Sequence, residues 1–315
     1  MNILPISVLI PTLNRPKSLE NTIKSFLSGS HFPSEIVIVD QSDTDDTLAV
    51  CNAFSNILKD VKIVYLKSSV KSSTISRNMA INASSNDILI FSDDDIEVNA
   101  DTLYNVFKLM SDKNMALLAG IDLNTFGKSS KKGHILRYVA GFCSHKYRNQ
   151  GHVTASILGC YPDYFESEVD TQWAMGYFFS VKKSLLDKWK ISWDENLRGY
   201  AYAEDLDFSY RYCLCASLEK LKCKLNRKVE VRHLTSTEFR IPREKHVFKY
   251  VINRDYLSYK WNKKFSSRLA ARRTNFVMFL IMAVKRGHPS YYVKAQLLCD
   301  KNRSKIKNGN LEFLD

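Results

Sequence analysis

Short apolar runs alternate with amphipathic stretches through the first third of the chain. Residues 6–10, 36–39, 61–66 and 88–92 are mostly apolar, which is typical of strands buried on both faces. The stretches between these runs place apolar residues at helical spacing. Strands that alternate with helices predict a mostly parallel central sheet flanked by helices, and therefore an α/β fold.

The same alternation continues to residue 231, with one less regular region. Further strands and helices are predicted at 116–121, 175–181, 182–189, 208–218 and 223–231. Residues 96–110 are predicted as a single helix. Residues 124–170 lack a clear period, so we expect loops and short strands there.

Three consecutive carboxylates, Asp93, Asp94 and Asp95, follow the strand at 88–92. Adjacent carboxylates repel one another and are costly to remove from water, so such a cluster at a strand end favours a shared cation. Oxygen ligands suit a hard divalent ion such as Mg²⁺ or Mn²⁺. An acidic turn that caps the next helix is the alternative interpretation.

Other polar residues are expected at the same edge of the sheet. Parallel α/β sheets bind ligands at the carboxyl ends of their strands, which places residues 12–15, Asp40 and residues 93–95 together. The sequence contains no G-x-G-x-x-G motif, so a phosphate-bearing ligand would be held by a metal and Arg side chains.

The charge is unevenly distributed along the 315 residues. Residues 1–239 hold 28 Lys and Arg against 28 Asp and Glu, whereas residues 240–315 hold 18 against 5, a net charge of +13. This asymmetry indicates either an anionic partner surface, nucleic acid or phospholipid, or a solvated basic helical face. The neutral 1–239 region argues against nucleic acid as the main ligand.

The tail is predicted to be helical at 245–261 and 266–286. The second helix contains nine consecutive apolar residues, 276–284, which are too few to span a bilayer. Basic residues flank this run: Arg268, Arg272, Arg273, Lys285 and Arg286. Such a helix suits a membrane interface, but it also suits packing on the preceding domain or a dimer contact.

The seven cysteines have no paired metal-binding spacing, and we interpret them as reduced thiols of a cytoplasmic protein. The first residues lack the basic start of a signal peptide, so we expect none.

Several motifs together resemble the family 2 glycosyltransferases, inverting enzymes of the GT-A fold that use nucleotide-diphosphate sugars. The resemblance covers residues 6–235 and rests on motifs in the family's order: Ile-Pro-Thr-Leu-Asn-Arg at 10–15, Ile-Val-Ile-Val-Asp-Gln-Ser at 36–42, Ser-Arg-Asn at 76–78, Phe-Ser-Asp-Asp-Asp at 91–95, Gly176, Glu-Asp at 204–205 and His233.

The resemblance implies a donor site in the first half of the chain. It assigns nucleotide-sugar contacts to Pro11, Thr12, Asn14, Arg15, Asp40, Arg77, Asp93 and Asp94. Within this set, Asp40 would contact the base and Arg77 the nucleotide or diphosphate. Mn²⁺ or Mg²⁺ would be bound by Asp95 directly, with Asp93 and His233. Gln41 departs from the family, in which many members carry a second Asp, and Asp94, the middle residue of the Asp-x-Asp motif, should matter least of the three.

The resemblance places the acceptor half later in the chain. Asp205 would be the catalytic base and Glu204 would contact the acceptor or the donor sugar, while Gly176, Trp173 and Tyr202 would bind the acceptor. The aromatic residues Tyr177 and Tyr200 are further candidates for stacking on sugars, although such residues are also common in cores. A helix N-terminus at Asp205 would stabilise its anion, so we expect a weak base. Helix capping is the alternative role for Asp205.

Together these features predict a GT-A catalytic domain at 1–239, divided near residue 122 into donor and acceptor halves, and a basic helical extension at 240–315. The expected activity is transfer of a sugar, from a UDP-sugar by preference, to a glycan or lipid-linked hydroxyl in surface polysaccharide synthesis. The expected location is the cytoplasm, with possible contact to the inner face of the cell membrane. A non-catalytic nucleotide-sugar or glycan-binding protein, or a nucleic-acid-binding protein that uses the basic tail, is the alternative.

Overall fold

A nine-stranded sheet runs through the protein. The structure is a computed structural model, and it describes residues 2–57, 60–127, 137–138, 140–144, 149–199, 202–236 and 241–314. The strands of the sheet are β1 (Asn2–Thr12), β2 (His31–Asp40), β3 (Lys62–Lys67), β4 (Ile88–Ser92), β5 (Ile96–Val98), β6 (Met115–Asp122), β9 (Glu168–Asp170), β10 (Phe178–Lys182) and β11 (Lys222–His233). The strand order is β3-β2-β1-β4-β10-β6-β11-β5, and β9 pairs with β11. β7 (His152–Val153) and β8 (Gly159–Cys160) form a separate hairpin.

Ten α-helices are described. They are α1 (Pro16–Phe26), α2 (Asp46–Ile57), α3 (Ser73–Ala83), α4 (Thr102–Met110), α5 (Lys183–Trp189), α6 (Glu204–Leu218), α7 (Arg243–Lys260), α8 (Phe265–Val284), α9 (Ser290–Lys301) and α10 (Arg303–Lys307). A short 3₁₀ helix, Glu312–Leu314, follows them.

The predicted parallel core is confirmed for β3, β2, β1 and β4, which all run in the same direction. In this register Thr12 pairs with Asp40, so the carboxyl ends of β1 and β2 lie side by side. β10 runs antiparallel between β4 and β6, and it begins at Phe178 rather than at the predicted residue 175. The short strands expected within 124–170 are present as β7, β8 and β9.

The predicted helix at 96–110 is wrong at its N-terminal end. Residues 96–98 form β5, whose Ile96 and Val98 side chains are buried while Glu97 is exposed, a period of two. β5 pairs antiparallel with β11, and this pairing sets Ile96 opposite His233. The helix itself begins only at Thr102.

Alternating side chains of the central strands fill a core on each face of the sheet. On β1, Val8 and Ile10 belong to one apolar cluster, and Leu9 belongs to the other. On β4, Ile90 faces the first cluster and Phe91 faces the second. Strands buried on both faces therefore explain the nearly continuous apolar runs in the sequence.

The C-terminal helices pack on the later half of the sheet domain. The two helices predicted in the tail are confirmed as α7 and α8, whereas α9 and α10 were not predicted. Val251 and Leu257 of α7 share an apolar cluster with Ile157, Trp173 and Leu206. The predicted domain boundaries at residues 122 and 239 stay a prediction. The apolar cluster contains residues from both sides of the boundary at 239.

Buried polar contacts also join α7 to the start of α6. Asp207 is fully buried and accepts hydrogen bonds from Lys260 Nζ at 2.8 Å and Trp261 Nε1 at 2.9 Å. Arg211 donates to the same carboxylate at 2.7 Å. Because a buried carboxylate is costly unless it is paired, these residues bind the C-terminal segment firmly to the first turn of α6.

Within the described residues, no helix combines the length and the apolar character that a membrane-spanning segment requires.

Candidate active site

A cavity of about 670 Å³ opens at the carboxyl ends of β1 and β4. Thirteen of the fifteen residues assigned from the sequence resemblance line it: Pro11, Thr12, Arg15, Arg77, Asp93, Asp94, Asp95, Trp173, Gly176, Tyr202, Glu204, Asp205 and His233. The fold therefore brings together residues that are separated by more than two hundred positions in the chain. Asn14 and Asp40 are not among the lining residues.

Asp93, Asp95 and His233 form a candidate metal site, with one ligand atom from each lying within 4.8 Å of the others. His233 Nε2 lies 3.2 Å from Asp95 Oδ1. Asp95 Oδ1 is buried, and no described residue donates a well-directed hydrogen bond to it. Two carboxylates and an imidazole are a donor set that Mn²⁺ accepts, so these residues fit the divalent ion implied by the motif.

The environment of Asp95 favours its anion. Burial acts to raise the pKa of this carboxyl, but His233, the backbone N–H of Ser236 and Arg15 together lower the pKa below its usual value. The position of His233 follows from the pairing of β5 with β11, because β5 begins immediately after Asp95. The ring of His233 also stacks on Tyr177, with centroids 5.5 Å apart.

Asp94 has a different environment from its two neighbours. Its carboxylate accepts hydrogen bonds from Thr12 Oγ1 at 2.7 Å and from Arg15 Nη1 at 3.1 Å. Burial raises the pKa of Asp94 to about 7, although Arg15 and Thr12 oppose this rise. Asp94 therefore ties the loop after β1 to the loop after β4.

Arg77 connects the metal-site carboxylates with the predicted catalytic carboxylates. Its Nη2 donates to Asp93 Oδ1 at 2.9 Å, and its Nη1 donates to Glu204 Oε1 at 3.3 Å. The guanidinium is buried and lies over the ring of Trp193, 4.5 Å from the centroid. Arg77 lines the cavity, and its contact with a nucleotide or diphosphate stays a prediction.

Asp205 lies at the start of α6, next to Gly176. Its carboxylate accepts the backbone N–H of Gly176 at 2.8 Å and that of Leu206 at 2.7 Å. A Cβ at position 176 would lie 3.1 Å from the Asp205 Cβ and 3.4 Å from Arg77 Nη2, so a side chain there would require Asp205 to shift.

We expected the helix N-terminus to lower the pKa of Asp205 and so make it a weak base, but the pKa is shifted in the opposite direction. Burial raises the pKa of Asp205, and the backbone donors and Arg77 only partly offset that rise. Burial and the adjacent Asp205 charge also raise the pKa of Glu204 to about 8. Because two carboxylates this close repel each other when both are ionised, the pair favours a state in which the two groups share one proton.

Asp40 does not occupy the position expected for a residue that contacts a base. It is fully buried, and its carboxylate accepts hydrogen bonds from Ser42 N, Tyr65 Oη and Lys67 Nζ at 2.8–2.9 Å. Gln41, the residue at which the sequence departs from the family motif, lines the cavity instead.

Asn14 shapes the loop after β1. It has a positive φ of 54°, and its backbone N–H donates to Ser42 Oγ at 2.7 Å. This contact joins the loop after β1 to the loop after β2, next to the cavity.

The aromatic candidates differ in how they meet the cavity. Trp173 is largely buried against Gly159, and its indole N–H donates to Cys160 O at 3.1 Å. Tyr202 is partly exposed, with its ring edge-on to Tyr250 at 4.8 Å. Tyr177 donates its hydroxyl hydrogen bond to the Gly120 carbonyl. Tyr200 lies outside the described residues.

Several further lining residues were missed by sequence reasoning, and the ionisable ones among them are Lys71, Asp122 and His246. Asp122 is the last residue of β6, and its carboxylate accepts the backbone N–H of His233 at 3.1 Å. Its position at a strand end is a signal that could have found it. Lys71 and His246 stand in segments with no distinguishing motif. His246 shows that α7 contributes to the wall of the cavity.

The model for the family described as "Glycosyl transferase family 2" matches residues 7–189, which is more than half of the chain. The chain belongs to glycosyl transferase family 2. The resemblance inferred from the motifs is thereby confirmed at the level of the family. The α/β fold, with its mostly parallel sheet flanked by helices, matches GT-A glycosyltransferase structures.

Individual relatives match only parts of this family 2 chain. Glycosyltransferase GlyG of Streptococcus pneumoniae is 25% identical over 141 residues, covering 44% of this chain and 45% of its own. The O-antigen chain rhamnosyltransferase WbaN of Salmonella anatum is 28% identical over 120 residues, covering 37% of this chain and 36% of its own. The chain thus spans less than half the length of these curated relatives.

A solved structure extends the likeness over nearly the whole family 2 chain. The mannosyltransferase PcManGT from Pyrobaculum calidifontis, in complex with GDP-Man and Mn²⁺, aligns with a TM-score of 0.57 and 12% identity. The alignment covers 98% of this chain and 85% of that one, so the likeness in fold includes the C-terminal helices.

The geometry predicts that Asp95 and Asp94 differ in their importance for metal binding. Because a ligand that binds the folded state stabilises it, Mn²⁺ should raise the apparent melting temperature of the native protein. Asp95→Asn should abolish this rise, whereas Asp94→Asn should retain it, since an amide oxygen still accepts a hydrogen bond from Thr12. Thermal unfolding with and without Mn²⁺ measures both responses, and an undiminished response of Asp95→Asn would contradict the assignment.

Proposed function

We propose that this protein is a metal-dependent, inverting glycosyltransferase that moves a sugar from a nucleotide-diphosphate sugar to a hydroxyl of a glycan or lipid-linked acceptor. The observation that carries the proposal is the arrangement within one cavity. A candidate metal site of Asp93, Asp95 and His233 is joined through Arg77 to the carboxylate of Glu204, and Asp205 follows Glu204 in the chain and lines the same cavity.

The donor would bind on the β1 and β4 side of the cavity. Pro11, Thr12 and Arg15 would line the nucleotide, and Gln41, which is largely buried but lines the cavity, would take the place of Asp40 beside the base. A divalent ion held by Asp95, Asp93 and His233 would neutralise the charge that grows on the leaving diphosphate. Lys71, whose Nζ pairs with Asp43 at 2.7 Å, lines the same cavity and would add a second cation for the phosphates beside Arg15.

The acceptor would bind toward Gly176, Trp173 and Tyr202, where its hydroxyl can reach Asp205. The acceptor oxygen attacks the anomeric carbon on the face opposite the leaving group, and the bond from that carbon to the phosphate oxygen breaks. The hydroxyl proton passes to the Asp205 carboxylate, and the nucleoside diphosphate departs with the bonding electron pair. A single displacement of this kind inverts the configuration at the anomeric carbon.

The raised pKa of Asp205 suits this role, because a base with a higher pKa takes the proton more readily. Glu204, with its pKa near 8, would carry a proton at neutral pH and could donate it in a hydrogen bond to a sugar hydroxyl. Arg77 would keep Asp93 and Glu204 in place, so that the donor and acceptor halves keep their spacing.

The biological setting is also a proposal. WbaN, a partial relative, is named as an O-antigen chain rhamnosyltransferase. We propose that this chain likewise serves the synthesis of a surface polysaccharide in the cytoplasm, at the inner face of the cell membrane, with a lipid-linked acceptor. A nucleotide-sugar or glycan-binding protein without catalysis would have no use for the Asp205 carboxylate in the same cavity as a metal site.

A screen of donors tests the proposal directly. UDP-, GDP- and dTDP-sugars are added with Mn²⁺, and the apparent melting temperature is measured for each. A donor at about 100 times its Kd stabilises the native state by about 2.7 kcal/mol, so we expect a clear rise with a UDP-sugar. EDTA should remove this rise. If no nucleotide sugar stabilises the protein with Mn²⁺ present, the proposed donor site is wrong.

Replacing the proposed base separates catalysis from binding. Asp205→Asn removes the proton acceptor but keeps the side-chain shape, so kcat should fall by about 10²–10⁴-fold while donor affinity stays nearly unchanged. Initial rates and calorimetric titration with the donor measure the two effects. The matched control is Asp60→Asn, an exposed carboxyl outside the cavity. Turnover of Asp205→Asn at the native rate would falsify the base assignment.

The pH dependence of transfer should report the raised pKa of Asp205. The base must be ionised, so kcat/KM should fall as the pH falls through that pKa. The acid limb should therefore lie above the value of about 3.9 for an ordinary Asp. Rates are measured at saturating Mn²⁺, and donor binding is followed across the same range to separate loss of metal from protonation. A rate that stays flat down to pH 4 would contradict the prediction.

A further inference from the structure

The outward face of α8 carries large apolar side chains that the fold leaves uncovered. Phe276, Leu280 and Val284 are 60%, 45% and 84% exposed. They are spaced by four residues, so they lie along one side of the helix. Phe265 and Leu269 are also exposed, and the seven-residue step from Leu269 to Phe276 continues the same stripe toward the N-terminal end.

The opposite face of α8 is fixed to the protein. Ala271 is buried, and Thr274 Oγ1 donates to the Ala140 carbonyl at 3.0 Å. Asn275 Oδ1 accepts a hydrogen bond from the fully buried Arg254 at 2.8 Å. These contacts set the rotation of the helix, so the helix cannot turn to bury the apolar stripe.

The surroundings of the stripe are strongly basic. Residues 256–299 contain nine Lys and Arg and no Asp or Glu. Lys285 and Arg286 directly follow α8 and are exposed, and neither forms an ion pair within the part of the chain that the structure describes. Arg273 is also exposed on the side of the stripe, whereas Arg272 pairs with Asp300.

We propose that the outward face of α8 binds the surface of an anionic phospholipid bilayer. An apolar stripe bordered by basic residues suits insertion at the level of the headgroups, with Lys and Arg reaching the lipid phosphates. Nucleic acid would not need five exposed apolar side chains at the centre of the contact. A second copy of the chain would bring the same +13 charge of residues 240–315 against itself.

Vesicle co-sedimentation of the full chain tests the proposal without donor or acceptor, so its outcome is independent of the proposed function. The probes are vesicles of phosphatidylcholine alone and of phosphatidylcholine with about 30% phosphatidylglycerol. The native protein should bind the anionic vesicles at low salt, bind neutral vesicles at least about tenfold more weakly, and dissociate as salt screens the charges.

Two sets of substitutions separate the contributions of the apolar and basic side chains. F276S/L280S/V284S should weaken binding to the anionic vesicles by about tenfold or more. The matched control, I57S/L214S/L218S, removes three exposed apolar side chains from α2 and α6 and should bind as the native protein does. K285Q/R286Q should weaken binding, and K17Q/K108Q, which replaces exposed lysines of α1 and α4, should not.

Thermal unfolding of each variant checks that the substitutions leave the fold intact, as expected for exposed side chains. The proposal is overturned if the native protein ignores anionic vesicles at low salt, or if F276S/L280S/V284S binds them as tightly as the native protein. It is also overturned if light scattering shows a native dimer that this variant converts to a monomer, because the stripe would then be covered by a second copy.

Discussion

The cavity depends on the hydrogen bonds that the guanidinium of Arg77 donates to carboxylates on its two sides. Asp93, Glu204 and Asp205 come from two distant segments, and carboxylates this close repel one another once they leave bulk water. Arg77 donates to two of them and to the Gly176 carbonyl from a buried position over Trp193. A cation in this place offsets the repulsion and also defines the spacing between the two carboxylate groups.

The sheet supplies the second constraint. β5 is only three residues long, yet its pairing with β11 carries His233 to the strand end at which Asp93 and Asp95 stand. β10 inserts antiparallel beside β4, so Gly176, just before β10, lies against Arg77 and Asp205. The candidate ligands and the candidate base thus depend on two antiparallel pairings added to a parallel sheet.

The chemistry of the strand ends could be predicted because it is local. Asp93–Asp95 follow a buried strand, and polar residues after such strands meet at one edge of a parallel sheet. Asp40 obeys the same rule, but Tyr65 and Lys67 of the neighbouring β3 occupy its carboxylate, which is a tertiary contact that the motif does not reveal. The raised pKa of Asp205 was missed for the same reason, since burial exceeds the local helix effect. Residues 96–98, which form β5, were predicted as part of a helix because three residues are too few to establish a period of two.

The contacts of Asp207 have a consequence for how such enzymes diversify. This carboxylate lies two residues after Asp205 and is held by Lys260 and Trp261 at the end of α7. A recombination event that exchanged the C-terminal helices for those of another member would leave the buried Asp207 carboxylate with Arg211 alone, beside the proposed base, unless the incoming segment supplied equivalent donors. The tail and the proposed base are therefore expected to be inherited as a unit, and chimeric enzymes need their junction placed outside the span from Asp205 to Trp261.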